Sequence, residues 1–158
     1  MSIPIEASSV EPASGTSYPE PFKSRMGESN WRALGDAFGL TQFGFNLETF
    51  QPGSESALRH WHSSTDELVY VLEGELTLLV DEGEFLLGSG MCVGFKAGDQ
   101  NAHHLVNRSE GVAVALVVGT RDPNDKAFYP DDDLAWFPQP DGYRAVHKDG
   151  SAYPEESS

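Results

Sequence analysis

The chain has 158 residues, with 25 acidic and 10 basic side chains and a formal net charge of −15. This length suits one domain that buries roughly 70% of the surface exposed by the unfolded chain. Nucleic acid and anionic membranes attract clustered Lys and Arg, so the charge excludes both from the predicted partners.

The N-terminal residues show no export signal. MSIPIEASSVEPASG lacks a basic segment followed by an apolar one, and no apolar run of about 18 residues occurs in the chain. The single cysteine, Cys92, excludes an internal disulfide and favours a reducing compartment. We therefore predict a cytoplasmic protein, with Cys92 buried as a small side chain in the apolar run MCVGF.

Residues 1–35 are predicted to form an N-terminal arm, because Pro, Ser, Gly and Glu dominate them and leave little for a core. Where the arm ends, residues 31–38 fit a short helical turn that stops at Gly39. The arm is therefore expected to lie across another surface.

A series of short strands is predicted for residues 36–120. In the first of them, alternation places Phe43 and Phe45 on one face and Gln42 and Asn46 on the other, and either pair can line the interior. Turn residues separate the runs, which cover residues 40–50, 57–62, 67–72, 75–80, 84–87, 91–95, 103–107 and 111–119. This spacing is typical of an antiparallel sandwich or barrel.

Residues 121–158 form a C-terminal segment of different composition. Five prolines and the run Asp131 to Asp133 disfavour regular strands over most of it. Its aromatic residues are nevertheless too numerous for a free tail. We predict an irregular segment packed on the barrel or on a partner subunit.

Two histidines flank a tryptophan in the stretch RHWHSSTDELVYVLEGE. In an extended strand His60 and His62 project to the same side, and Trp61 projects to the other. The turn SSTD folds the next strand back beside them, so that Glu67 can join the pair. Downstream, alternation allows only one of His103 and His104 to face the same interior.

Unpaired imidazoles and carboxylates in a dry interior cost several kcal/mol each, and a shared cation removes this cost. Histidine and carboxylate ligands suit a divalent transition metal better than Ca²⁺ or Mg²⁺, which prefer oxygen. Three nitrogen donors and one oxygen donor leave two octahedral positions open for water, oxygen or substrate. We predict one such metal per chain, with Fe, Mn, Ni and Zn as candidates.

These residues carry a family resemblance. HWHSSTDELVYVLEG resembles the first motif of the cupin superfamily, and GMCVGFKAGDQNAHHLVN resembles the second. The resemblance implies an all-β, antiparallel jelly-roll barrel in a small single-domain bacterial cupin. It also implies metal ligands at His60, His62, Glu67 and His103. Asn107 matches the residue that closes the second motif, and Gly74, Gly90 and Gly98 match the turn glycines of the family.

The second motif departs from the family pattern at two points. Lys96 stands where the family usually has proline, and one extra residue separates Gly98 from the histidine pair. Alternation and the spacing to Asn107 favour His103 over His104 as the ligand. Lys96 is interpreted as a solvated turn residue rather than an anion clamp.

The leading functional hypothesis is a metal-dependent enzyme acting on a small polar metabolite. Dioxygenase, decarboxylase, lyase and sugar isomerase chemistries all occur on this fold, and no general acid or base is evident in the sequence. The alternative is a non-catalytic module that binds a small ligand through the metal. The apolar outer face of Leu68, Tyr70 and Leu72 needs a cover, which either a second subunit or the C-terminal segment can provide, and a homodimer is predicted.

Overall fold

The structure is a computed structural model that describes residues 3–140 and 142–154, most of them in antiparallel strands and connecting loops. Two short 3₁₀ turns, Ala7–Ser9 and Lys23–Arg25, lie in the N-terminal arm. The strands and one helix are, in chain order, β1 (Ala13–Ser14), β2 (Ser29–Ala33), α1 (Leu34–Ala37), β3 (Phe43–Phe50), β4 (Trp61–His62), β5 (Glu67–Glu73), β6 (Glu75–Val80), β7 (Gly83–Gly88), β8 (Cys92–Phe95), β9 (His104–Val106), β10 (Ala113–Thr120), β11 (Ala127–Tyr129), β12 (Leu134–Gln139) and β13 (Gly142–Val146).

The strands form three antiparallel sheets. The six-stranded sheet has the order β1-β2-β3-β10-β5-β8, and the three-stranded sheet has the order β7-β6-β9. A third sheet, β13-β12-β11-β4, joins the C-terminal segment to the histidine strand. A bridge between His60 and His103 connects the chain before β4 to the chain before β9. The predicted all-β jelly-roll class is confirmed.

The register of the large sheet decides which face of β3 points inward. Val117 on β10 lies opposite Val69 on one side and Asn46 on the other, so these three side chains share a face. That face carries the main core cluster, in which Phe50 and Val71 are fully buried. Asn46 therefore lies on the inner side of the sheet.

The opposite face of the large sheet is apolar and exposed. Phe43 is 38% exposed there, and Leu68, Tyr70 and Leu72 are 45%, 39% and 38% exposed. Cys92 pairs with Tyr70 on this face and is exposed, so the prediction of a buried thiol was wrong. The apolar run MCVGF misled because strand alternation turns every second residue outward.

The C-terminal segment contains more strand than its composition suggested. Strands β11, β12 and β13 form consecutive antiparallel pairs within this segment, which the sequence predicted to be irregular over most of its length. Pro130 and Pro140 lie outside these strands. Pro138 lies in β12 beyond the residues that pair with β11, opposite Tyr143 of β13.

The N-terminal arm packs against the C-terminal segment. Phe22 and Met26 share a second buried cluster with Leu58, Tyr129 and Leu134. The predicted helical turn at residues 31–38 was only partly right, because β2 continues to Ala33 and the helix occupies Leu34–Ala37. Pairing with β3 takes precedence over helix propensity at this point.

Two motif residues shape the turns around the core. Gly74 has φ of +71°, and a Cβ atom there would lie 2.6 Å from the carbonyl oxygen of Val112, so only glycine fits. Asn107 is fully buried, and its Nδ2 donates to the carbonyl oxygens of Phe50 and Gly111 at 2.9 and 2.8 Å. The closing asparagine of the second motif therefore stabilises loops.

In the part of the chain that the structure describes, no helix has the length and apolar content needed to cross a membrane.

Candidate metal centre

His60 and His62 each have one ring nitrogen fixed by a neighbour. The Nδ1 atom of His60 lies 2.7 Å from the carbonyl oxygen of Leu58. The Nδ1 atom of His62 lies 2.6 Å from Oδ2 of Asp125. A carbonyl and a carboxylate only accept hydrogen bonds, so Nδ1 carries the proton in both rings. Both Nε2 atoms are then free to donate a lone pair.

The two Nε2 atoms face each other at 3.0 Å. Two lone pairs at this distance repel each other. Burial, together with the neighbouring His62, lowers the pKa of His60 to about 4, so this ring stays neutral and keeps its Nε2 lone pair. Two nitrogen ligands at about 2.1 Å from one cation, at right angles, are about 3.0 Å apart, so the pair fits a metal ion.

Glu67 and His103 complete the group. Potential ligand atoms of His60, His62 and Glu67 all lie within 4.8 Å of one another. The Nε2 atom of His103 lies 3.4 Å from Oε1 of Glu67, and His103 is 3% exposed. Burial alone would raise the pKa of Glu67, but the hydrogen bond with His103 and the electrostatic effect of the neighbouring imidazoles lower it. The carboxylate is therefore held in the ionised form that a metal requires.

His103 rather than His104 faces this group. His103 lies between His60 and Phe95, whose ring stacks on the imidazole with a centroid distance of 3.4 Å. The Nδ1 atom of His104 instead donates to the carbonyl oxygen of Ala57 at 3.1 Å. Three of the four predicted ligands, His60, His62 and Glu67, thus form a candidate metal site, and His103 lies beside it against Glu67.

Asp125 contacts the candidate ligand His62, which the sequence did not reveal. It is 7% exposed, and its Oδ1 accepts a 2.8 Å hydrogen bond from the backbone N–H of Ser64. Burial would raise its pKa, but the hydrogen bonds from Ser64 and His62 outweigh that effect and lower it. Nothing separates Asp125 from the other acidic residues in the sequence, since its role depends on the pairing of β11 with β4.

Glu48 is a second residue near the candidate ligands that the sequence did not reveal. It lines an inner cavity of about 160 Å³ together with His60, Glu67 and His103. Burial and the nearby charge of Glu67 raise the pKa of Glu48 to about 7. The alternation of β3 had placed Glu48 on the same face as Asn46, but only the register shows that this face points inward.

Two larger cavities reach the candidate ligands. The arm-side cavity, about 450 Å³, lies between the N-terminal arm and the C-terminal segment and is lined by Tyr18, Asn46, Glu48, His62 and Tyr129 among others. The apolar cavity, about 430 Å³, lies beside β6, β7 and β8 and includes His62 and His103. Trp61 stacks on Phe128 at 4.5 Å and also lines the apolar cavity, whereas Tyr70 lies on the outer face.

Comparison with known proteins identifies the family. A cupin domain family matches residues 46–119. A Silicibacter pomeroyi protein, described as a sugar phosphate isomerase from a cupin superfamily, is 41% identical, with 97% of this chain and 98% of that chain covered and a TM-score of 0.92. The chain belongs to the cupin superfamily.

Two further solved structures resemble the chain at lower identity. An Acidithiobacillus ferrooxidans protein, provisionally named for the same isomerase activity, is 30% identical over 82% of both chains, with a TM-score of 0.72. A Thermotoga maritima protein with predicted oxalate decarboxylase activity is 20% identical over 75% of this chain and 98% of that chain, with a TM-score of 0.61. That last likeness shows the fold alone. No curated protein matched the chain.

Proposed function

We propose that this cupin is a metal-dependent enzyme that binds a small, oxygen-bearing metabolite at one divalent transition metal. The ligands are His60, His62, Glu67 and His103, and Fe, Mn, Ni and Zn all suit this donor set. The observation that carries the proposal is the pair of Nε2 atoms facing each other at 3.0 Å beside an ionised carboxylate. Without a cation this arrangement is unfavourable.

The chain supplies orientation and proton transfer. When bound, the metal supplies Lewis-acid polarisation of a substrate oxygen. Leu58 and Asp125 hold the two imidazoles in the tautomer that leaves Nε2 free. Glu48, in the inner cavity with three of the ligands, is placed to take or give a proton. A group of this kind favours an enzyme over a module that only binds.

Proton-transfer chemistry favours an isomerase, lyase or decarboxylase. Two relatives are named as sugar phosphate isomerases, but binding of a phosphate group by this chain would favour clustered basic residues. Arg59 is paired with Asp131 and Asp81, and Arg108 is paired with Glu84. Dioxygenase chemistry, which does not need a general base such as Glu48, ranks below proton-transfer chemistry.

Metal analysis of purified protein tests the proposal. Protein produced with ample Fe, Mn, Ni and Zn should contain close to one transition metal per chain, and the double substitution His60→Ala, His62→Ala should abolish binding. His104→Ala is the matched control, because this histidine donates to Ala57 outside the ligand group. Metal-free wild-type protein, or equal metal content in the double variant, would contradict the proposal.

We also propose that the protein is cytoplasmic and forms a homodimer through the outer face of Leu68, Tyr70 and Leu72. An exposed free thiol at Cys92 suits a reducing compartment. The described part of the C-terminal segment pairs with β4, which leaves a second copy as the expected cover of this face. In sedimentation experiments Tyr70→Lys should yield monomers, whereas Tyr143→Lys, at a similarly exposed tyrosine, should not.

A further inference from the structure

The apolar cavity has walls of a different character from the metal centre. Its volume is about 430 Å³, and most of the residues around it are aliphatic or aromatic. Leu78, Leu87 and Val93 form its inner part. Phe85, Leu86 and Met91, which are 50%, 59% and 48% exposed, form its outer part. Large apolar side chains left this open around a cavity indicate a binding surface.

Several polar side chains also line this cavity. His62 and His103 line it, so two of the candidate ligands open onto the apolar space. Lys96 lines it as well, and within residues 3–140 and 142–154 no carboxylate pairs with its ammonium group. Asp99 and Asn101 also line the cavity, and the Oδ1 atom of Asp99 accepts a hydrogen bond from the backbone N–H of Asn101. An unpaired cation beside apolar walls favours an anion that has an apolar body.

We propose that this cavity binds a small carboxylate with an apolar body, whose anionic end lies near Lys96, His62 and His103. The position of the anionic end rests on the proposed function, because it places a carboxylate beside the metal site. The position of the apolar body rests only on the walls. The proposal replaces the interpretation of Lys96 as a simple turn residue.

The size of the cavity limits the ligand. An engineered apolar cavity of about 150 Å³ accommodates benzene, so a cavity nearly three times as large accepts a ligand on the order of ten to fifteen non-hydrogen atoms. A sugar phosphate of that size would place several hydroxyl groups against Leu78, Phe85 and Met91. Each hydroxyl group without a hydrogen-bond partner there would weaken binding.

Straight-chain carboxylates provide the test. Isothermal titration calorimetry would measure the affinity of metal-loaded protein and of chelator-treated protein for five compounds. These are acetate, butyrate, hexanoate, octanoate and glucose 6-phosphate. Each methylene buried against the walls should tighten binding about three- to fourfold, or on the order of 100-fold from butyrate to octanoate. This gain is expected with and without metal, because it depends on the walls.

Three variants separate the two ends of the ligand. The double substitution Phe85→Ser, Leu86→Ser should reduce the butyrate-to-octanoate gain to less than about tenfold. Phe38→Ser, at an equally exposed phenylalanine next to α1, should leave the gain unchanged. Lys96→Met should weaken every carboxylate by up to about fivefold without altering the gain per methylene.

The outcomes distinguish this inference from the proposed function. Equal affinity along the carboxylate series, or a gain that survives the double substitution at Phe85 and Leu86, would overturn the inference. Tighter binding of glucose 6-phosphate than of octanoate to metal-loaded protein would do the same. Failure of the proposed function would instead appear as absence of metal from wild-type protein, with the chain-length gain intact.

Discussion

The jelly-roll strands and the C-terminal segment contribute to the same site in different ways. The jelly roll supplies all four candidate ligands, and their spacing follows the alternation of its strands. The C-terminal segment supplies Asp125, which contacts a ligand only because β11 pairs with β4. A metal-donor side chain can therefore be recognised in the sequence, whereas the residue that orients it is recognised only in the folded structure.

The largest effect is expected from the two buried clusters. Phe50, in the jelly-roll core, and Leu134, in the cluster shared by the arm and the C-terminal segment, are both fully buried. Phe50→Ala should lower the free energy of unfolding by about 3–5 kcal/mol, and Leu134→Ala by about 2–5 kcal/mol. Urea unfolding followed by tryptophan fluorescence measures both.

The number of urea-unfolding transitions shows whether the two regions unfold together. If the C-terminal segment belongs to the same cooperative unit, Leu134→Ala should shift one transition to lower urea concentration. Trp136 lies in this segment and Trp31 lies in β2, so their fluorescence reports on both regions. An early, separate transition would show that the two regions unfold independently.

The next effect concerns metal affinity. In Asp125→Asn the new amide group can donate to Nδ1 of His62, which would move the ring proton to Nε2 and remove the lone pair needed for a metal. Loss of such an orienting partner weakens metal binding about 10- to 100-fold. Competition with a chromophoric chelator measures the affinity, and ¹⁵N shifts of the His62 ring report the tautomer.

A distant aspartate provides the control for this substitution. Asp149 accepts hydrogen bonds from Ser151 near the end of the described chain and contacts none of the four candidate ligands. Asp149→Asn removes the same charge and should leave metal affinity unchanged. Equal affinities in wild-type protein and Asp125→Asn would show that the C-terminal segment has no part in the metal site.

The features that depend on local strand pattern could be predicted from the sequence, and those that depend on strand pairing could not. The family, the antiparallel fold and the cluster of His60, His62 and Glu67 could all be predicted, because strand alternation and motif spacing are local properties. The inward direction of Asn46 and Glu48 could not, since Phe43 and Phe45 fitted the interior equally well. Phe43 is exposed because it belongs to the outer apolar face, which extends from β3 across β10 to β5.

The last effect concerns the pH dependence set by Glu48. Its folded-state pKa is raised to about 7 from 4.5, so folding favours the protonated form. The stabilising contribution is complete below about pH 4.5 and is lost as the pH rises through about 7. Metal-free Glu48→Gln should therefore match wild-type stability near pH 4.5 and exceed it by up to about 3 kcal/mol at pH 8.

Metal provides the decisive control, because a cation bound to Glu67 cancels the charge that repels the Glu48 carboxylate. The advantage of Glu48→Gln at pH 8 should therefore shrink in metal-loaded protein. Glu75→Gln, at an exposed position on β6, accounts for the general benefit of removing one charge from a chain with net charge −15. If the gain in the free energy of unfolding of Glu48→Gln is equal at both pH values, or equal to that of Glu75→Gln, Glu48 is not coupled to the charges of the metal site. The proton transfer proposed for Glu48 would then have no support.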